Sequence, residues 1–362
     1  MREIRQSVVM IVTTLICLGV VMIFSASGVY ALQNMGKSTY YLTRHLMFLV
    51  IGFILALVMM AIDYRTLRPK AKGLLLLSIF LLVLVLIPGI GTEHYGARRW
   101  FRLGPLSFQP SELAKFAFLI YLADFLARKG NLIKDFFRGF MPVIILLGGV
   151  CLLILKQPDL GTTVFLSVIT LLLMFVAGAR VVHLGTLVLL ALPVVYLLIF
   201  RVPYRLARIM AFLNPWEDSR GIGFQLSQSQ IALGSGGLLG VGLGHSMQKL
   251  FYLPAAHTDF VLSIIGEEMG FFGTLSVVVL FGLFIWQGAR IAKRTSDPFG
   301  YFLSTGIVAM IGLQAVINIG VSIGALPTKG LPLPFVSYGG TALVFHMAMV
   351  GLLLNISRTE EL

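Results

Sequence analysis

Charge is what this chain has least of: Asp, Glu, Lys and Arg make up 12% of its 362 residues, whereas 58% are hydrophobic. A soluble domain carries roughly a quarter charged residues to keep its surface in water, so a soluble globular fold is excluded. The cysteines are only two, Cys17 and Cys151, both inside apolar runs. Neither a disulfide framework nor a thiolate metal cluster is therefore indicated. The six histidines form no H-E-x-x-H, and no glycine-rich stretch completes G-x-x-x-x-G-K or G-x-G-x-x-G. Nucleotide chemistry has no loop to work with. Acidic residues are the scarcer sign, 15 against 28 basic, for a net charge of +13. That excess is spread over many connectors and matches no nucleic-acid-binding motif, so anionic membrane lipids are the expected partner and nucleic acid is not.

Long apolar runs are what the chain does have. A hydrocarbon core about 30 Å thick is crossed by roughly 20 apolar residues in a helix, and the alternating ten-residue segments of a β-barrel are missing. About ten spans are expected, at 7–27, 45–62, 73–90, 112–127, 140–155, 162–178, 184–200, 260–287, 301–324 and 336–356. The expected fold is all-α, a polytopic membrane bundle forming one domain over 1–362, with a large loop at 201–259 between the seventh and eighth spans. The first run ends in FSASG, which loosely resembles a signal-peptidase site, but it is longer than a signal core and other spans follow, so it reads as a retained helix.

An even number of spans puts both termini on one side. Connectors on that side hold Arg2 and Arg5; Arg65, Arg68, Lys70 and Lys72; Arg128, Lys129, Lys134 and Arg138; Arg180; and Arg290, Lys293 and Arg294. The opposite short connectors are poorer in Lys and Arg, so the positive-inside rule places both termini in the cytoplasm and 201–259 outside. Chemistry-bearing residues then gather on the outer face. In 91–116, Glu112 and Lys115 share one side of a helix start, either as an exposed ion pair or as a structural or substrate-orienting pair in a cavity. Arg98, Arg99 and Arg102 beside Trp100 fit an interfacial belt, and equally a site for pyrophosphate, which takes bidentate guanidinium contacts.

Further on, Arg201, Arg205 and Arg208 fall at helical spacing, placed either to snorkel to lipid phosphates or to hold a substrate's. The stretch 224–233 is expected to lie along the surface as an amphipathic helix, with Gln225, Gln228 and Ser229 on its polar side. Asp259 stands where HTDF enters a span; it is a helix N-cap or a functional carboxylate. Of Glu267 and Glu268, two turns deeper, at least one should face the bundle interior. Near the C-terminus LPTKGLPLPFVSYGG, 326–340, interrupts two spans with prolines that stop a helix and glycines that admit close approach. It reads as a mouth loop whose Lys329 and Ser337 are candidate substrate contacts.

GARRW with FQPSELAK, QPDLGTT, FLNP, QSQIALGSGG, LPAAHTDFVLSIIGEEMGF and NIGVSIGALPTKGLPLPFVSYGGT, in that order along the whole chain, resemble the motifs of the SEDS family (shape, elongation, division and sporulation). GVGLGHSMQKLFYLP and LPTKGL are more like the division member than the elongation member, and the sporulation member is close. The resemblance implies a ten-helix peptidoglycan glycosyltransferase of the bacterial cytoplasmic membrane. It would polymerise lipid II, an undecaprenyl-pyrophosphoryl disaccharide-pentapeptide, on the outer face. A class B penicillin-binding protein and other division or elongation proteins would be its partners. Asp259 matches the family's catalytic aspartate. At Ala255 many relatives carry Glu, which puts any role of that carboxylate in doubt here.

Such a transfer needs one general base for the attacking hydroxyl and cations for the departing diphosphate, which leaves without a second carboxyl to protonate it. Asp259 is the expected base, oriented by His257, with Lys115, Arg99, Arg205 and Arg208 on phosphates; Mg²⁺ or Mn²⁺ is an optional assistant and no residue is assigned as a metal ligand. The rival expectation is a lipid II flippase, with Glu112, Lys115, Glu267 and Glu268 lining a path.

Overall fold

Uninterrupted runs of Leu, Ile and Val satisfy their backbone groups within the segment only as helices, and helices account for nearly all the ordered backbone. The computed structural model describes residues 1–94, 96–104, 106–217, 221, 223–250, 253–254 and 256–360. In chain order come α1 (Arg2–Met35), α2 (Tyr40–Ala61), α3 (Leu67–Leu84), β1 (Thr92–His94), β2 (Ala97–Leu103), β3 (Leu106–Phe108), α4 (Pro110–Lys129), α5 (Met141–Lys156) and α6 (Leu160–Val176). Then follow α7 (Val181–Phe200), α8 (Pro203–Leu213), α9 (Phe224–Ser235), α10 (Val261–Arg294), α11 (Pro298–Ser322) and α12 (Thr341–Thr359).

Each expected span falls on a helix. Among the described residues, seven helices are long and apolar enough to cross a membrane: α1, α2, α5 with the π-helical turn Phe136–Phe140 before it, α7, α10, α11 and α12. α6 is apolar but shorter, α3 carries Arg68, Lys70 and Lys72, and α4 carries Glu112, Lys115 and Asp124. Three helices thus depend on their neighbours to sit in the bundle. α12 is the hub: nearly every residue of its apolar stretch is buried, against α2 above all. α7 is the opposite case, with no buried residue along its length.

Two features were not expected. The cluster after α3 folds as an antiparallel meander, β1-β2-β3, pairing Phe101 with Phe108 and Arg102 with Ser107. The segment 236–242 folds back onto α10, which is broken at Gly270 (φ 68°, ψ −162°). There Val241 and Gly242 donate backbone hydrogen bonds to the carbonyls of Glu267 and Glu268 (2.9 and 3.0 Å), and Phe271 donates to that of Gly237 (2.9 Å). Backbone groups around the break are thereby paired by protein rather than left to lipid. The contact tolerates no side chain: a Cβ at Gly240 would lie 2.2 Å from the Glu268 carbonyl oxygen, and one at Gly270 2.4 Å from the Gly240 nitrogen.

Glu267 and Glu268 are both buried, and their carboxylates hold the next stretch, 246–249. Glu267 accepts from the Ser246 hydroxyl and from the Met247 amide (2.9 Å). Glu268 pairs with Lys249 (2.8 Å) and accepts from Ser25 of α1 (2.6 Å). The helix expected to lie along the surface is α9, but its polar side turns inward. Ser229 is fully buried, 2.6 Å from the Ser263 hydroxyl and donating to the Ser322 carbonyl (2.8 Å).

Candidate active site

Chain alternation brings the N-termini of α2, α4, α6, α10 and α12 to one end of the bundle, and there the 326–340 loop organises the site. Two polar side chains of α11 hold that loop. Gln314 donates to the Pro332 carbonyl (2.8 Å), and Asn318 donates both to Leu331 (2.9 Å) and to the backbone carbonyl of Asp259 (2.8 Å). Asp259 and the mouth loop are thus fixed by one amide. The Asp259 carboxylate faces Gly330, where an added Cβ would sit 3.6 Å from its Oδ2. Lys329, next in the chain, runs beside Gly161 at the start of α6, its Cβ and Cδ at 3.8 and 3.9 Å from a Cβ placed there. From α8, Arg208 donates to the Thr328 carbonyl (3.2 Å) and lies over the Tyr204 ring. Arg208 and Thr328 also line a cavity of about 210 Å³ with Gln225 and Pro254.

Asp259 is partly accessible yet packed among protein atoms. Burial pushes its pKa up to about 6, although the nearby Arg208 charge draws it down. Burial also lowers the Lys329 ammonium below the usual lysine range. It pushes His257 down to about 4, so that imidazole is neutral near pH 7.

His257 does not orient Asp259. No hydrogen bond joins its ring to that carboxylate among the described residues; the ring lies instead among Tyr41, Tyr30 and Tyr338, at centroid distances of 4.5, 5.8 and 5.9 Å. Its carbonyl accepts the Tyr338 amide (2.9 Å), which pins HTDF to the YGG turn.

The other expected contacts divide. Lys115 and Glu112 do form an ion pair (2.9 Å), but both are buried, so the exposed pair is ruled out and Lys115 is turned into the bundle over Phe165. Arg99 donates to the carbonyls of Gln157 (2.7 Å) and Pro158 (2.6 Å), tying the meander to the turn before α6. Arg205 donates to the Leu198 carbonyl (2.8 Å) and so closes the end of α7. The expected arginine stripe is interrupted there, because Arg201 ends α7 and Pro203 starts a new helix. Ser337 is buried and its hydroxyl accepts the Leu333 amide (3.0 Å), an internal bond of the mouth loop. Asp259 and Arg208 are therefore brought together, with Lys329 on the adjoining stretch of the mouth loop and its side chain against α6, while Lys115, Arg99, Arg205 and Ser337 support the frame.

Sequence reasoning missed Gln314 and Asn318. The only signal was Gln314, Asn318 and Ser322 following one another four residues apart, on one side of an otherwise apolar span, where an unpaired amide is costly. Among the described residues no three His, Cys, Asp or Glu side chains meet, at Asp259 or elsewhere. The donors among the described residues do not make a cage for Mg²⁺ or Mn²⁺, which need several oxygens.

A multi-pass helical membrane protein, with a half-buried carboxylate and an arginine gathered under a proline-rich loop, is the class that fold and site define. The chain belongs to the FtsW/RodA/SpoVE family of cell cycle proteins, whose model matches residues 5–362. It is 46% identical over 350 residues to a probable peptidoglycan glycosyltransferase FtsW of Geobacter sulfurreducens, covering 97% of this chain and 94% of that one. It is 45% identical to the stage V sporulation protein E of Bacillus subtilis, covering 97% and 96%. Among solved structures, it resembles a chain of a peptidoglycan synthase complex that coordinates polymerization and crosslinking (TM-score 0.80, 31% identity, 98% and 97% covered). It also resembles the rod shape determining protein RodA of Thermus thermophilus (TM-score 0.72, 30% identity, 98% and 97% covered).

Proposed function

We propose that the chain is a peptidoglycan glycosyltransferase that polymerises lipid II on the outer face of the bacterial cytoplasmic membrane, with both termini in the cytoplasm. The observation that carries the reading is the Asp259 carboxylate, poised at a pKa of about 6 beside Gly330 and within the field of Arg208. A base of that strength is ionised at neutral pH yet takes a proton more readily than an ordinary aspartate.

In the reaction a sugar hydroxyl oxygen attacks the donor's anomeric carbon while Asp259 accepts the hydroxyl proton. The bond from that carbon to the diphosphate oxygen breaks, its electron pair leaves on the diphosphate, and the new glycosidic bond has inverted configuration. Arg208 and Lys329 are the cations placed to balance the developing negative charge. Gly330 lets substrate approach the carboxylate as no larger residue would. An apolar groove along α2, lined by Thr43, Leu46, Met47, Val50 and Ile51 with Leu106 of β3, offers a hydrocarbon tail a path from the same end of the bundle. A class B penicillin-binding protein is the transpeptidase partner that would crosslink the product.

The test is polymerisation of purified lipid II by the chain with that partner, read as glycan length on gels. Asp259→Asn should lose at least about a hundredfold in rate, the scale of a general base. Normal polymerisation by that variant would overturn the assignment, and movement of lipid II across vesicles without any polymer would favour a flippase.

A further inference from the structure

One cluster beside the site is used by none of the steps above. Tyr30 at the end of α1, Tyr41 at the start of α2, and Tyr338 in the YGG turn close around His257, with Tyr40 packed against Tyr41. Tyr41 is the centre: its ring meets Tyr40 and Tyr338 nearly edge-on, at 5.2 and 5.3 Å, and is tilted against Tyr30 at 6.1 Å. Arg44 lies over Tyr40 (4.7 Å), and its charge reaches the Tyr338 hydroxyl. Tyr30 is 39% exposed, and the other three rings and Arg44 are all partly accessible.

An interfacial aromatic belt spreads rings outward around a bundle. These rings converge from three separate segments on one histidine, two residues before the base. Ring faces with hydroxyls and a guanidinium at their edge are the chemistry that holds a pyranose, whose C–H face is apolar and whose rim is polar. The cations of the site, Arg208 and Lys329, come from other elements, α8 and the 328–330 segment. We infer that the Tyr30–Tyr41–Tyr338 cluster with Arg44 is a saccharide-binding platform that holds the sugar whose hydroxyl attacks, leaving the diphosphate to the cations. The inference rests on the polymerase reading and adds to it a subsite for uncharged sugar.

The probe is a fluorescent soluble peptidoglycan hexasaccharide without lipid or phosphate, titrated into the full-length chain in nanodiscs. Tyr41→Leu and Tyr30→Leu should each weaken binding about threefold to tenfold, the scale of one aromatic stacking contact. Tyr41→Phe, which keeps the ring face, should stay within about twofold of wild type. Tyr30 lies at the surface, so Tyr30→Leu remains informative if Tyr41→Leu misfolds.

Wild-type binding that neither leucine variant alters, or no binding of the hexasaccharide at all, would overturn the platform. So would a dependence on these tyrosines seen only with undecaprenyl phosphate, which would mark a lipid site. The two readings fail separately: active Asp259→Asn sinks the base assignment whatever the sugar does, while unaltered sugar binding by the tyrosine variants sinks only the platform.

Discussion

At the residue scale, Asp259 shows how burial trades stability for reactivity. Its pKa of about 6 in the folded chain lies above the ordinary aspartate value near 3.9. The native state therefore holds the proton more tightly than the unfolded chain, and stability falls as pH rises from about 4 to about 6, by up to about 3 kcal/mol. Asn never ionises, so Asp259→Asn should be inactive but melt higher than wild type at pH 7.5, the gain shrinking towards pH 4; thermal denaturation in detergent at both pH values checks this. Wild-type polymerisation should fall about tenfold per pH unit below about 6, as the base becomes protonated. Arg208 draws that pKa down, so Arg208→Gln should shift the acid limb of the pH–rate profile upwards as well as slow the reaction. A slower enzyme with an unshifted limb would place Arg208 away from the carboxylate. Asp259 was legible beforehand because a carboxylate at the entry of an apolar helix must be compensated. The fate of Lys115 was not, since i, i+3 spacing says that Glu112 is its neighbour and nothing about what covers the pair.

At the scale of elements, the apolar runs were enough to locate every span, but the breaks between and within them were harder to read. Pro203 announces the end of α7, yet the regular arginine spacing across it suggested one helix. ARRWFRL places cations on both faces of β2, so it lacked the apolar alternation that marks a half-buried strand. Gly270 looked like any glycine in a span until the 236–242 loop was seen lying on it. The stretch that follows that loop, 246–249, is anchored by the Lys249–Glu268 pair, both partners buried and bridged by Ser25. Lys249→Met strands a buried carboxylate and should cost about 3–5 kcal/mol, whereas adding Glu268→Leu should recover much of the loss. A double-mutant cycle on melting temperature measures this. Additive losses would show that the two charges do not depend on each other.

At the scale of the whole molecule, burial is distributed unevenly, and the unevenness is informative because lipid is as apolar as leucine. Composition cannot tell a helix in the middle of the bundle from one at its edge: α7 and α12 are both apolar spans, yet the first buries nothing and the second is nearly enclosed. What distinguishes them is the small and polar residues of α12, such as Gly351 and Asn355, since helices in lipid associate through close packing and hydrogen bonds rather than through hydrophobicity. Asn355 donates to the Met60 carbonyl (2.8 Å) and accepts the Tyr64 amide (3.0 Å), locking α12 to the turn after α2 at the end of the bundle away from the site. α7 offers no comparable set: Val188, Leu189 and Leu190, successive residues that point to three different sides of the helix, are all exposed. Single cysteines along α7 in nanodiscs carrying a photoreactive lipid should therefore label on every face, while those at Leu352 and Leu353 of α12 stay unlabelled. A protected stripe on α7 would mean that the bundle closes on it in the membrane, and the 201–259 segment that carries Arg208 to the site would then be held from both ends rather than from the site alone.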